Sequence, residues 1–236
     1  VKAAFLQHHP NGDVALLYRA FTVGRDMHAS QIRKSGEPYF FHPLAVAQSL
    51  ADWRLDAVSV ACGLLHDVVE DTLMTQAQVK AQFGEEISEI VDGLTKMSKL
   101  AFTDKHLLNA ENVRKLLVAM GKDVRVLLVK LADRLHNMKT LGVMEEEKRR
   151  RISRETLELY APLANRLGMG LVRLELEDLA FRQLEPQQYA DLRDAVERKR
   201  AKLSATIQEI QGSVQAILRQ QGISAQVYGR IKHLYG

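Results

Sequence analysis

The sequence predicts an all-α protein. Three observations carry that reading. Glycine (14) and proline (5) are few among 236 residues. Ala, Leu, Glu, Lys and Arg recur throughout. Apolar side chains return at helical spacing along most of the chain. With 46% hydrophobic and 26% charged residues the composition is that of a globular chain, long enough for one large domain or one domain with part of a second.

The elements follow in order. Residues 14–31, VALLYRAFTVGRDMHASQ, predict an amphipathic helix. RKSGEPYFFHP, punctuated by Gly36 and Pro38, predicts a loop, and Pro43 is placed as the first residue of the next helix, PLAVAQSLADW. Residues 56–70 predict one central helix with little polar face before Asp67. A helix over 75–83 stops at Gly84, and another covers the region of 86–97. MSKLAFTDKHLLNAENVRK lacks a clean period and predicts a partly ordered connection, of a kind that often carries function. VRVLLVKLADRLHNMKTL predicts a buried helix, and MEEEKRRRISRE a solvated helix face laced with i,i+4 pairs. In the helix over 152–167, Pro162 is expected to kink or reset the chain. Residues 186–221 predict one or two long amphipathic helices that Gly222 breaks. ISAQVYGRIKH then alternates like a strand, the expected opening of an incomplete second domain. The expected organisation is a helical domain over 1–185, linking helices over 186–221, and the start of another domain over 222–236.

Several classes of protein are set aside. No apolar run approaches the eighteen or so residues of a membrane span, and no signal-peptide pattern is seen; with Val1 first, a trimmed start is expected. The single cysteine, Cys62, excludes an internal disulfide and a thiolate zinc site and suits a reducing cytoplasm. A net charge of +4 from 33 basic and 29 acidic residues reads as a solvated surface. Sparse aromatics (6%) argue against stacking of single-stranded bases, and no nucleic-acid partner is expected.

Three places put ionisable groups where packing alone would not. They are His42 after PYFF, His66-Asp67 followed by Glu70-Asp71 in GLLHDVVEDT, and Asp133 with Asn137 and Thr140 on its helix stripe. A buried carboxylate survives only if it is paired or bound to a cation. A divalent metal shared by His42, His66, Asp67 and Asp133 would neutralise them together, and two imidazoles with two carboxylates suit Mn, Fe or Zn. Glu70 and Asp71 lie one turn on, where a supporting shell or a general base belongs; the alternative is an exposed, negative helix end. Arg33 and Lys34 sit nine and eight residues before His42, so their loop can reach over the metal. There a guanidinium stacks on a purine or clamps phosphate and an ammonium neutralises it; solvated loop residues are the alternative.

The ordered pattern of an isolated His, a His-Asp pair and a distant Asp resembles that of the HD metal-dependent phosphohydrolases. More closely, HASQIRKSGEPYFFHP, GLLHDVVEDT, VKLADRLHNMKTL and YAPLANRLGM resemble the hydrolase half of the Rel/SpoT family, the bifunctional (p)ppGpp synthetase/hydrolases of bacteria. The resemblance implies an HD-domain helical bundle in which His42, His66, Asp67 and Asp133 bind one Mn2+. Glu70 and Asp71 would be the catalytic acidic pair. Arg33, Lys34 and Ser35, with Asn137 and Thr140 from the opposite helix, would hold the guanine nucleotide. The implied reaction is hydrolysis of the 3′-pyrophosphate of (p)ppGpp to GDP or GTP and pyrophosphate, in the cytoplasm. Residues 222–236 resemble the opening of the family's synthetase domain, and pyrophosphate transfer from ATP is not expected without the rest of it. Residues 99–112 fall where the family's two activities would communicate. Two other readings stand beside this one: an HD hydrolase of another nucleotide, and a catalytically silent regulatory module.

Overall fold

Helix α1 (Lys2–His8) leads into α2 (Val14–Met27), whose N-terminus is capped by Asp13 accepting the Leu16 N–H at 2.8 Å. The computed structural model describes residues 1–99 and 123–228. Helix α2 ends at Met27, short of the expected residue 31, because Gln31 N–H bonds to the His28 carbonyl at 3.0 Å and tightens the chain into a turn. Then come α3 (Phe41–Asp52), α4 (Ala57–Leu65), α5 (Val68–Asp71), α6 (Gln76–Phe83) and α7 (Glu85–Lys99). After residue 122 the chain continues with α8 (Arg125–Lys139), a 3-10 turn (Leu141–Val143), α9 (Glu146–Glu155), a π-turn (Thr156–Tyr160), α10 (Ala161–Arg166), α11 (Gly170–Leu184) and α12 (Pro186–Gln220). The candidate switch at 99–112 lies, beyond its first residue, outside the described residues.

Helix α4 is the centre of the fold. It is buried from Ser59 through Leu65 and packs on α2, α3, α7 and α8. Its close approach to α3 depends on Gly63, where a Cβ would meet Leu50 Cδ1 at 2.6 Å and the Ala47 backbone at 3.2 Å. Gly63→Ala is therefore expected to destabilise the protein by about 1–3 kcal/mol through overpacking, more than the roughly 1 kcal/mol that alanine gains in helix propensity. Urea unfolding checks this, and a raised midpoint would show that α3 yields freely. Arg125 fastens three element ends around this core. It reaches Asp56, the cap of α4, at 3.3 Å, Glu86 of α7 at 2.8 Å and Asp123 at 2.6 Å.

Two expectations about proline are refined. Pro43 is the third residue of α3, still within the first turn, where backbone N–H groups have no intrahelical acceptor. Ahead of Pro162 the helix widens into the π-turn, which makes room for a ring that would press on the carbonyl four residues back. Arg134 of α8 lies 4.0 Å over the Tyr160 ring and 2.8 Å from Glu155, tying α8 to that turn.

Helix α12 is continuous over 35 residues. Gln215 donates to the Ala225 carbonyl at 2.6 Å and Gln211 to Val227 at 3.3 Å, so the chain after Gly222 runs back along the helix. Residues 223–228 thus have no strand partner and form no strand, against expectation; 229–236 lie outside the described residues. Among the described residues there is no strand, only an isolated antiparallel bridge between Ile32 and Pro38.

Candidate functional site

The expected single helix over 56–70 is two. α4 stops at Leu65, His66 and Asp67 form a turn, and α5 restarts at Val68. On an unbroken helix adjacent side chains diverge by about 100°. The turn, with Asp67 at φ −103° and ψ −4°, instead lets both face one centre. The helix end contributes again, because its last carbonyls lack intrahelical donors. His66 donates from Nδ1 to one of them, Gly63 O, at 2.8 Å, which leaves Nε2 facing the centre.

His42 enters from α3 and Asp133 from α8, both buried. His42 Nε2 lies 3.3 Å from His66 Nε2 and 3.2 Å from Asp133 Oδ1, and His66 Nε2 lies 4.0 Å from the same oxygen. One donor atom each of His42, His66 and Asp133 falls within 4.8 Å of the others. Asp67 Oδ2 sits beside them, 2.9 Å from His66 Nε2 and 3.7 Å from His42 Nε2. Ligands bonded at about 2.1 Å around one ion stand roughly 3.0–3.4 Å apart, so the set fits a divalent metal. Two imidazole nitrogens aimed at each other across a short gap beside carboxylates are the chemistry a cation resolves.

The electrostatics of the metal-free chain agree. Burial opposes a charged His66, but the Asp67 carboxylate bonded to it, helped by Asp133, outweighs burial and lifts its pKa to about 9. Asp67 is held at about 2, its own burial overcome chiefly by His66. Asp133, also against burial, is drawn well below the carboxylate range by Lys130 and His42. The sign for His66 follows from a folded value above the unfolded one. Its stabilisation is fully present below about pH 6.5 and is lost as pH rises through about 9, a change on the order of 3 kcal/mol. Urea unfolding of the chelator-treated chain at pH 6 and pH 9 is expected to show this loss, and equal midpoints would contradict it.

Around the centre stands a ring of supporting groups. Tyr39 OH lies 2.8 Å from Asp67 Oδ2 and 2.7 Å from Asp71 Oδ2, within donating distance of both carboxylates. Its ring stacks on buried His28, and Gln31 links His28 to the Asp71 backbone carbonyl. Lys130 Nζ lies 2.7 Å from Asp133 Oδ2 and donates to Ser98 Oγ at 3.0 Å. Partial burial raises the Glu70 carboxyl above the ordinary value, against the opposing pull of Ser98 and Lys130. Asn137 donates to Asp133 Oδ1 at 2.5 Å.

Arg33, Lys34 and Ser35 lie in a tight turn closed by Arg33 N–H to Glu37 O and Gly36 N–H to Arg33 O, each at 2.9 Å; Gly36 takes φ +86°. The Arg33 guanidinium rests on α8, 3.3 Å from Asn137 Oδ1 and 3.4 Å from Thr140 Oγ1. Lys34 and Ser35 are exposed, and Ser35 Oγ donates to Glu37 at 3.2 Å. Tyr39, Lys130, His136 and Ser98 were not singled out from sequence. For Lys130 and His136 a signal existed, since they stand three residues before and three after Asp133 on a helix already carrying a candidate ligand.

A helical core that brings an isolated histidine, a His-Asp pair and a distant aspartate to one metal-fitted centre defines an HD-type domain. A family model described as HD domain matches residues 20–170, and the chain belongs to that family. Within it, the chain is a relative of the SpoT and Rel-type proteins. It is 46% identical over 226 residues to the bifunctional (p)ppGpp synthase/hydrolase SpoT of Escherichia coli K12, covering 96% of this chain and 32% of the relative. It is 44% identical over 232 residues to a GTP pyrophosphokinase of Myxococcus xanthus, covering 97% and 31%. A guanosine-3′,5′-bis(diphosphate) 3′-pyrophosphohydrolase of Haemophilus influenzae is 48% identical over 213 residues, covering 90% and 32%. The chain thus spans about a third of the length of these curated relatives. A solved structure described as a metazoan ortholog of SpoT that hydrolyzes ppGpp aligns with a TM-score of 0.51 and 27% identity, over 72% of this chain and 96% of that one. Among the described residues no helix is long and apolar enough to cross a membrane.

Proposed function

We propose that this chain hydrolyses the 3′-pyrophosphate of (p)ppGpp, releasing GDP or GTP and pyrophosphate, with Mn2+ held by His42, His66, Asp67 and Asp133. The observation that carries the reading is the convergence of His42, His66 and Asp133 directly beside the turn that presents Arg33. The activities for which the relatives and the metazoan structure are named support the same substrate. We assign the activity to the cytoplasm, and divide the chain at residues 185 and 221 into hydrolase, linking helix and the start of a further domain.

When bound, the metal supplies a polarised phosphoryl oxygen and a water of lowered pKa. The chain's own groups do the rest. Glu70 and Asp71, on the turn after His66-Asp67, hold and move the proton of the attacking water at their carboxylate oxygens. Glu70 suits that work because partial burial raises its carboxyl above the ordinary glutamate value. Tyr39 OH keeps Asp67 and Asp71 in register. Arg33 leaves its polar contacts on Asn137 and Thr140 for the nucleotide, with Lys34 and Ser35 on the same turn. Those two α8 groups then face the guanine nucleotide from the other side.

Incubation with ppGpp and Mn2+, with dGTP as comparator, tests the proposal. GDP and pyrophosphate from ppGpp alone are expected. Turnover of dGTP alone would overturn the substrate, and full activity after exhaustive chelation would overturn the metal.

A further inference from the structure

His42 presents Nε2 to the metal-fitted centre, so in its neutral form the ring proton must sit on Nδ1 for Nε2 to offer a lone pair. That Nδ1 does not face a carbonyl or carboxylate, as in most ligand histidines. It faces another imidazole, His136 Nδ1, at 2.8 Å with ring centroids 4.9 Å apart. A contact that short between two ring nitrogens holds one proton, and its owner decides what His42 can do. If His136 donates, His42 Nδ1 accepts, the His42 proton moves to Nε2, and the centre loses a donor. If His42 donates, Nε2 is open.

The surroundings choose. Arg33 Nη1 approaches the same His136 Nδ1 at 3.4 Å, and a guanidinium has only donors to offer. A proton on His136 Nδ1 would then point at two groups and repel a cation, whereas a lone pair there faces donors. His136 also stands on α8 one turn from Asp133, a helix face already committed to the centre.

We propose that His136 is a positioning residue. It accepts the His42 Nδ1 proton, fixes the His42 tautomer, and thereby sets the affinity of the centre for its metal. The inference rests on the reading of His42 as a ligand. It adds that the loop carrying Arg33 and the metal centre meet at one imidazole nitrogen.

The test is a Mn2+ titration of the metal-stripped full chain, with free Mn2+ read from its EPR amplitude and folding checked by thermal melts. His136→Leu removes the acceptor and is expected to weaken Mn2+ binding about 10–100-fold. His136→Gln keeps an acceptor oxygen and is expected to retain affinity within about threefold, by the same reasoning. His42→Ala separates the two claims. If it binds Mn2+ like the parent, the ligand reading fails. If it loses binding while His136→Leu does not, or if Gln and Leu are equally weak at unchanged melting temperatures, the positioning role is overturned. Should His136→Leu fail to fold, His136→Ala takes its place: the same loss is expected, and parent-like affinity in that folded variant overturns the role.

Discussion

Glu70→Gln is expected to lower ppGpp hydrolysis by about 10²–10⁴-fold, the usual loss on removing a general acid or base, while Mn2+ affinity scarcely changes. Glu70 stands outside the His42–His66–Asp133 cluster, so glutamine keeps the shape and loses only the proposed proton chemistry. Burial raises the Glu70 carboxyl, so its base form is lost as pH falls through that raised value. The acid limb of the parent's pH–rate profile should then lie above the ordinary glutamate value of about 4.3. Full activity in the variant would remove Glu70 from the chemistry and leave Asp71 as the proton carrier.

Lys130→Met is expected to be the most destabilising exchange in the metal-free chain. Lys130 is paired with buried Asp133 at 2.7 Å and bonds Ser98 at 3.0 Å. Asp133 keeps His42 and Asn137 but loses its lysine, and removing one partner of a buried ion pair costs about 3–5 kcal/mol. For a chain of this size that corresponds to roughly 6–20 °C in melting temperature. The second half of the prediction is sharper. On the proposed ligation a divalent metal would neutralise Asp133 in place of the lysine, so Mn2+ should restore the variant by more than it stabilises the parent. Thermal melts with and without Mn2+ read both. An equal deficit in the two conditions would mean that Lys130 serves packing rather than charge.

The helical class and most helix positions were legible because periodicity reports which face of a segment is buried. The four groups proposed as ligands were legible for a related reason: His42, His66, Asp67 and Asp133 are polar residues in apolar surroundings. What periodicity could not report was the break at His66-Asp67. The apolar pattern runs through it without a gap, and the turn costs no glycine or proline. Nor could it report partners across helices. Tyr39 looked like one more aromatic of PYFF, yet its hydroxyl lies between two carboxylates. Lys130 stands three residues before Asp133 in the sequence, but only the folded helix shows it paired with that carboxylate. His136 sat in the quoted motif without a role, because a tautomer is decided by the neighbour that faces it and no spacing along one chain encodes that neighbour. The strand expected after Gly222 fails over 223–228 for the same reason, since alternation describes a strand's faces and not its partner.

Helix α12 has a mechanical consequence. Its 35 residues make a rod about 52 Å long, and its base follows directly on α11, which packs against α8, α9 and α10. A tilt of about 10° at Pro186 would swing the far end by roughly 9 Å at that length. A small rotation at the base of α12 thus becomes a large displacement at its far end, and that base adjoins α11, which packs on α8, the helix that carries Asp133.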